Sequence, residues 1–531
     1  MEKRAIAAAV LSIVFFYAYY LLFPPPKKEM PKQPTTQVTA TATVPAASVP
    51  AVTRATEIPV TQSQPSVAKD VVVDTDLYTA VFSNQGASLK SFVLKKYKET
   101  NSASGKQVAL INESNPEGFA LRTGGVGFPL SPSVIYATGT GNLTVGRDEK
   151  RQLVFIFTSP DGQTVKKTYT FQGGSYAIDL ATEIVNGSSD KISGTLDLLF
   201  PYQVGDKEKQ SRFEASGAVL LADNKFESET LKDLESKPKE YETNVLWAGF
   251  ADKYFLSAVL SKDNAIARVK TAKETGNYLA ATIESPAFTL APGQSHSVSY
   301  KLFMGPKDLD LLKAQGSGLE QALDLGWFSA IAKPLLYVLK YFYKYTHNYG
   351  IAIIIITVIL KILFFPLTHK SYKSMKEMQK LQPKMLELRE KHKDDREALN
   401  RATMELYKTH KVNPLGGCFP MVVQIPVFFA LYKALLFSIE LRHAPFMLWI
   451  TDLSAKDPYY VTPIIMGATM FIQQKMTPST MDPMQAKIML ALPIVFTFMF
   501  LNFPSGLVIY WLVNNILTIA QQAYINRLLK E

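Results

Sequence analysis

The 531-residue chain is 47% hydrophobic, carries a net charge of +11 and holds a single cysteine, Cys418. That length allows several domains, and one cysteine excludes an intramolecular disulfide framework. The six histidines (His296, His347, His369, His392, His410, His443) are scattered, with no HExxH and no paired ligand spacing, so no Cys/His metal site is expected. No Walker-type loop is present, so neither a nucleotide site nor any other cofactor is expected, and no catalytic constellation stands out. The apolar residues are clumped, which points to a membrane protein.

Residues 1–23 contain an apolar run, Ala5 to Phe23, preceded by Lys3 and Arg4. A cleaved signal peptide competes with a signal-anchor transmembrane helix. The length of the run, and Pro24-Pro25-Pro26 in place of a small-residue cleavage site, favour the anchor, with its N-terminus cytoplasmic by the positive-inside rule. Residues 24–70 hold nine prolines and no periodic apolar pattern. They read as an extended, disordered linker. Residues 71–305 read as all-β. Asp76–Phe82, Val165–Phe171, Ile192–Phe200 and His296–Phe303 alternate or are rich in β-formers, with Gly, Asn and Asp between them. One large β-sandwich is predicted. In residues 327–346, Lys333, Lys340 and Lys344 share one helix face, and Phe328, Ile331, Leu335, Leu339 and Phe342 share another. This predicts an interfacial amphipathic helix, with an ordinary domain-packing helix as the alternative.

Residues 350–369 read as a second transmembrane helix interrupted by a cation, Lys361. A charge at that depth costs roughly 2.5–3.5 kcal/mol on insertion scales. Thr357 and Thr368 fall on the same face. Two readings stay open: Lys361 faces a hydrated cavity, or it snorkels to the inner headgroups. Residues 370–412 carry 12 Lys/Arg against 7 Asp/Glu, which places them in the cytoplasm. Their apolar spacing, broken at Asp394-Asp395, predicts a helical hairpin. Its basic surface is either topogenic charge or a dock for an acidic partner such as anionic lipid, ribosomal RNA or a nascent-chain carrier. Further spans are predicted at 415–437, 459–475, 488–502 and 506–525, making six with the first. Several hold proline or are short for a bilayer, which suggests local thinning. Both termini fall inside and the β-domain outside.

The later spans are also polar. Gln424 lies between Pro420 and Pro426, and Tyr510, Asn514, Thr518 and Gln521 follow one face of the last helix. Such residues often only glue helices together. Here Lys361, the amides and hydroxyls, and the Tyr510-Trp511 pair lie on different helices. They suggest a shared hydrated cavity lined by Lys361, Thr357, Gln424, Tyr510, Trp511 and Asn514. No deep acidic partner accompanies Lys361, which argues against a proton relay or ion-coupled transporter.

Long motifs carry a family resemblance. Asn413-Pro-Leu-Gly-Gly-Cys-Phe-Pro420 with Gln424-Ile-Pro426, Asp452-Leu-Ser-Ala-Lys-Asp-Pro-Tyr-Tyr460, Phe503-Pro-Ser-Gly-Leu507 and Pro366-Leu-Thr-His-Lys370 closely resemble the YidC membrane protein insertase family, in the Gram-negative form with a large periplasmic domain. The resemblance implies a polytopic inner-membrane protein with six transmembrane helices, five of them an insertase core around a hydrophilic groove. It also implies a periplasmic β-supersandwich. The groove would open to the cytoplasm and the lipid and be closed outside. The function implied is insertion and folding of nascent membrane proteins, alone or with the Sec translocon, from ribosome-bound chains, without a small-molecule substrate or bond-making chemistry. Ribosome contact would rest on the 370–412 hairpin. The family has an arginine where this chain has Lys361, so the charge is kept and the bidentate fork is lost. Two rival classes remain: a transporter or channel, and an envelope enzyme with a carboxylate pair in residues 71–305.

Overall fold

The computed structural model describes residues 67–112, 118–128, 130–205, 217–392, 395–410, 412, 419–477 and 483–528. The expected anchor (1–23), nearly all of the linker and the motif residues Asn413–Cys418 lie outside the described residues.

The alternating segments form a β-domain of three sheets. The eight-stranded sheet runs in the order Lys225–Thr230, Gly217–Ala222, Val245–Ala251, Phe255–Ser261, Ser295–Pro306, Ala177–Asn186, Gln163–Gln172, Lys150–Thr158. A six-stranded sheet is built around Ile192–Gln203, and a five-stranded sheet around Tyr78–Ser83. The period-two pattern explains the layering. Along Gln163–Gln172, buried Val165, Lys167, Tyr169 and Phe171 alternate with residues that are more exposed. Inward residues from all three sheets merge into one core holding Tyr78, Phe82, Phe155, Phe200, Trp247 and Phe303. Asp76 and Leu77, expected to begin a strand, form a turn instead: the Thr75 hydroxyl oxygen accepts from Leu77 N and Tyr78 N and closes it. Lys167 is wholly buried and donates to Leu121 O. Burial pushes its ammonium well below the usual lysine range.

The helical part starts with α1 (Leu309–Gln315), capped by Asp308, and α2 (Ser329–Thr346). Ala332, Leu336 and Leu339 of α2 are buried, while Tyr337, Tyr341 and Tyr345 form an exposed aromatic row. Lys340 does not simply solvate a basic face. Its ammonium lies 3.0 Å from Asp308, 2.5 Å from Asp310 and 3.3 Å from Glu440. Burial opposes that charge, and the three carboxylates outweigh it, so the Lys340 ammonium is held above its ordinary value. Residues far apart in sequence thus meet at one cation, which fixes the exit of the β-domain against the helices. Arg442 adds a second tie, lying over the Tyr254 and Phe255 rings.

Seven helices follow among the described residues: α3 (Tyr349–Lys380), α4 (Gln382–Lys391), α5 (Arg396–Thr409), α6 (Phe419–Phe437), α7 (Val461–Met476), α8 (Pro483–Phe500) and α9 (Ser505–Leu528). α3 continues well past residue 369, so the region expected to be a hairpin from 370 begins inside it. At ~1.5 Å per residue its 32 residues span about 48 Å, more than a ~30 Å hydrocarbon core. Nothing between Pro366 and Pro383 breaks a helix, and Pro383 sits in the first turn of α4, where its missing N–H is harmless. The pairing of α4 and α5 rests on Tyr407, which donates to Met385 Sδ at 3.0 Å, and on the contact of Lys384 with His410 at 3.2 Å.

Among the described residues, α3 alone is long and apolar enough to cross a membrane by length and composition; Val422–Phe437 and Ile488–Phe500 are shorter apolar helices. α9 has 24 residues, but its amides and hydroxyls dilute its hydropathy. The outward faces are nonetheless apolar. Ile362 and Leu363 on α3, Val422 and Ile425 on α6, Ile464 and Ile472 on α7, and Ile494 and Phe498 on α8 are all exposed. Exposed apolar side chains in this number, spread over four helices, suit lipid rather than water.

Candidate functional site

α3, α6 and α9 meet around Lys361. Asn348 starts α3 by accepting from Ile351 N at 3.2 Å, and its amide donates to Phe446 O at 2.8 Å, which ties the helix to the outer loop. From there 3.6-residue periodicity brings Thr357, Lys361 and Thr368 to one side. The opposing wall is Tyr510 and Asn514 of α9, and Gln424 of α6 closes the third side. These six, with Leu360, Phe364 and Val427, enclose a cavity of about 20 Å³, room for a water molecule or two. A wider space of about 210 Å³ adjoins it, lined by Gln424, Ile425, Phe428, Tyr510, Trp511 and Asn514.

All six residues singled out from the sequence therefore border one connected region, but in two different ways. Lys361, Thr357, Gln424, Tyr510 and Asn514 line the polar cavity. Trp511 borders only the wider space and otherwise packs in an aromatic cluster, its ring centroid 4.8 Å from Phe428 and 5.0 Å from Phe500. The amide pair Gln424–Asn514 is long, 3.5 Å from Nε2 to Oδ1.

Thr518 was placed on the polar row of the last helix without a role. It is the partner of Lys361, whose ammonium donates to its hydroxyl oxygen at 2.7 Å. The four-residue step from Asn514 to Thr518 was the only signal in the sequence for it. The hydroxyl hydrogens of this site are directed along the helices: Thr357 donates to Ile353 O at 2.7 Å, Thr368 to Phe364 O at 2.9 Å and Thr518 to Asn514 O at 2.6 Å. Each threonine thus offers a lone pair rather than a donor. The cavity holds one cation, acceptors that favour it and amides with spare capacity. No ion pair joins Lys361 to a carboxylate among the described residues, so the charge keeps an unneutralised field.

On the outer side the polar region stops at packed apolar residues. Ile353, Ile356, Leu431, Leu435, Leu453, Met466, Leu507 and Val508 form a single buried cluster there. On the outward face of α3, Ile362 and Leu363, next to Lys361 in sequence, are 69% and 68% exposed. Asn515 and Gln522 use another face of α9, donating to Thr469 Oγ1 at 3.4 Å and Met476 O at 2.5 Å, and these contacts bind α9 to α7.

In the β-domain, Asp197 and Glu284 face each other across two strands. Arg268 holds Glu284 with bonds of 3.1 and 2.5 Å. Burial, then the Glu284 charge, push the Asp197 carboxyl up. No group of three or more His, Cys, Asp or Glu that could hold a metal occurs among the described residues.

A solved structure described as an active YidC insertase with its first transmembrane domain resolved is 19% identical, covering 85% of this chain and 92% of that one at a TM-score of 0.36. Residues 70–338 match the family model of the YidC periplasmic domain, and residues 341–531 that of the 60Kd inner membrane protein. A protein from Geotalea uraniireducens named membrane protein insertase YidC is 61% identical over 528 residues, 99% of each chain. Another of that name, from Geobacter metallireducens, is 58% identical over 99% of this chain and 98% of its own. With the β-domain and the helical part each matched, and the whole length aligned at such identity, the chain belongs to the YidC membrane protein insertase family.

Proposed function

We propose that this chain inserts membrane proteins into the inner membrane, and that the cavity around Lys361 receives the polar segment a client must carry across. The observation that carries this reading is an unneutralised ammonium, walled by acceptors and amides from three helices, with apolar packing above it and exposed apolar side chains beside it. Moving a polar peptide into hydrocarbon without hydrogen bonds costs several kcal/mol per group. Lys361, Thr357, Gln424, Tyr510 and Asn514 lower that cost by solvating the segment part of the way. Trp511, Phe428 and Ile425, which line the wider space, present an apolar wall to the client's hydrophobic helix, which leaves sideways into lipid. Partition into the bilayer drives the process, so bond-making chemistry is not required. A lysine here supplies charge and hydration without bidentate geometry.

The apolar cluster above the cavity disfavours a transporter or channel, which needs a path open to both faces. We infer six spans, with the described helices α3, α6, α7, α8 and α9 as five of them, α2 at the outer interface and both termini cytoplasmic. The 24 Å that 16 residues give α7 at ~1.5 Å each favour a thinned bilayer around the bundle. Nascent chains on ribosomes, the Sec translocon and membrane lipids are the partners this function calls for. The basic segment ending α3, with α4 and α5, is the surface offered to the ribosome. Assistance to folding, as a chaperone, follows from the same groove.

The test replaces Lys361 with Ala and with Arg in the full chain and follows insertion of a short membrane protein into proteoliposomes. Photocrosslinkers at positions 357, 424 and 510 report contact with a stalled nascent chain. The expected result is loss of insertion for Lys361→Ala, retention for Lys361→Arg, and crosslinks once the client helix has emerged. Wild-type insertion by Lys361→Ala, or crosslinks confined to the β-domain, would overturn the proposal.

A further inference from the structure

α9 carries two adjacent glutamines that are used differently. Gln522 is fully buried; its amide nitrogen donates to Met476 O, which serves the packing of α9 on α7, and only its Oε1 is left without a partner among the described residues. Gln521 lies on the other face, in the row of Tyr510, Asn514 and Thr518. Both its Nε2 and its Oε1 are buried and neither has a hydrogen-bond partner among the described residues. Its position is bracketed along α3. Three residues before it, Thr518 accepts from Lys361; three residues after it, the Tyr524 ring lies 6.4 Å from Phe365. Gln521 therefore sits one turn to the cytoplasmic side of the cavity, where a client arrives. One turn further along α3, His369 Nδ1 is likewise buried without a partner among the described residues.

An unpaired buried amide is costly, and a leucine would fill the same space without that cost. Donor and acceptor on one planar group match one kind of ligand well. In an extended chain the N–H and C=O of a single residue point to the same side, as they do when paired strands exchange both bonds. A glutamine amide meets both, its Oε1 accepting from the N–H and its Nε2 donating to the C=O. The amide is uncharged and reads no side chain.

We propose that Gln521 is a binding site for the main chain of the client, held extended as its polar segment passes from the cytoplasm toward Lys361. This rests on the insertase reading of the groove. It adds that the entrance recognises peptide groups rather than sequence, which lets one groove serve unrelated polar segments. Lys361 attracts charge, and Gln521 engages the backbone every client has.

The experiment uses the full chain in proteoliposomes with a single-span client whose translocated segment is polar. Gln521→Leu is compared with wild type for thermal unfolding and for insertion rate. Successive peptide bonds of the client segment are then replaced by esters, which lack the N–H. Gln521→Leu is expected to unfold at the same or a higher temperature and to insert about three- to tenfold more slowly, the loss expected for a hydrogen bond or two. At least one ester is expected to slow wild type and leave Gln521→Leu unaffected. Insertion at the wild-type rate by Gln521→Leu, esters that slow both proteins equally, or a lower unfolding temperature for the variant would each overturn the proposal. The groove reading is scored separately. If Lys361→Ala still fails to insert and the crosslinks at 357, 424 and 510 persist, only the backbone site falls; if those crosslinks are also absent, the groove falls with it.

Discussion

Replacing Thr518 with Val tests the polar site at its shortest contact. Valine keeps the β-branched shape, and the hydroxyl's own hydrogen is already committed to Asn514 O, so the loss that matters is the lone pair facing Lys361 at 2.7 Å. Hydroxyl contacts inside membranes are typically worth about 0.6 kcal/mol, whereas hydrogen bonds to a charged group are worth about 1.5–3 kcal/mol. The charge decides between them. The ammonium has no carboxylate partner among the described residues, and the cavity of about 20 Å³ holds a water molecule or two at most, which replaces the acceptor only in part. Thr518→Val is therefore expected to cost about 1.5 kcal/mol. Lys361→Met removes the cation and with it the demand for an acceptor, so in that background Thr518→Val should cost almost nothing. A double-mutant cycle by reversible unfolding in mild detergent then gives a coupling of about 1.5 kcal/mol, with Thr518→Ser close to wild type. A coupling near zero, with Thr518→Val as stable as wild type, would refute the reasoning and mean that Lys361 is solvated from elsewhere.

Two further perturbations probe the frame that holds the site. A Cβ on Gly467 would lie 2.0 Å from Thr497 Oγ1, so Gly467→Ala should force α7 from α8 and cost about 1–3 kcal/mol, most of it recovered by adding Thr497→Ala. Equal unfolding temperatures for Gly467→Ala and wild type would show that the helices are not in close contact. Asp457, fully buried in the outer loop, accepts from Trp449 Nε1, Tyr459 N, Thr462 N and Thr462 Oγ1. Burial works to raise this carboxyl, and the bonds from Thr462, Tyr459 and Trp449 outweigh it, so it is held below its ordinary value. A depressed carboxyl contributes stability above its unfolded pKa of about 3.9 and loses it as pH falls through the lower folded value. Wild type should thus lose unfolding temperature on acidification below about pH 4, and Asp457→Asn should start lower and change less over the same window. Parallel curves for the two proteins would remove Asp457 from the account.

What the sequence could and could not disclose follows from the range of each interaction. Periodicity is local, so the strand segments around Val165–Phe171 and His296–Phe303 and the polar row at 510, 514, 518 and 521 can be read directly: one side chain's direction fixes the next. Helix ends are set by breakers, and after Pro366 the next is Pro383, so a span ending at 369 stops where the backbone has no reason to stop. Pairing across helices is out of reach of spacing. Nothing in residues 308, 310, 340 and 440 announces that three carboxylates meet one ammonium, because that depends on how α1, α2 and the outer loop pack. The two glutamines of α9 make the point most sharply. As a dipeptide they are equivalent; only the 100° turn between them sends the Gln522 amide to a carbonyl on α7 and leaves both amide atoms of Gln521 without a partner among the described residues. Two residues can share chemistry and neighbourhood and differ only in whether the fold engages them at all. In a bundle whose task is to accept a foreign chain, an unsatisfied polar group on the path of entry is where that chain's own amides gain most.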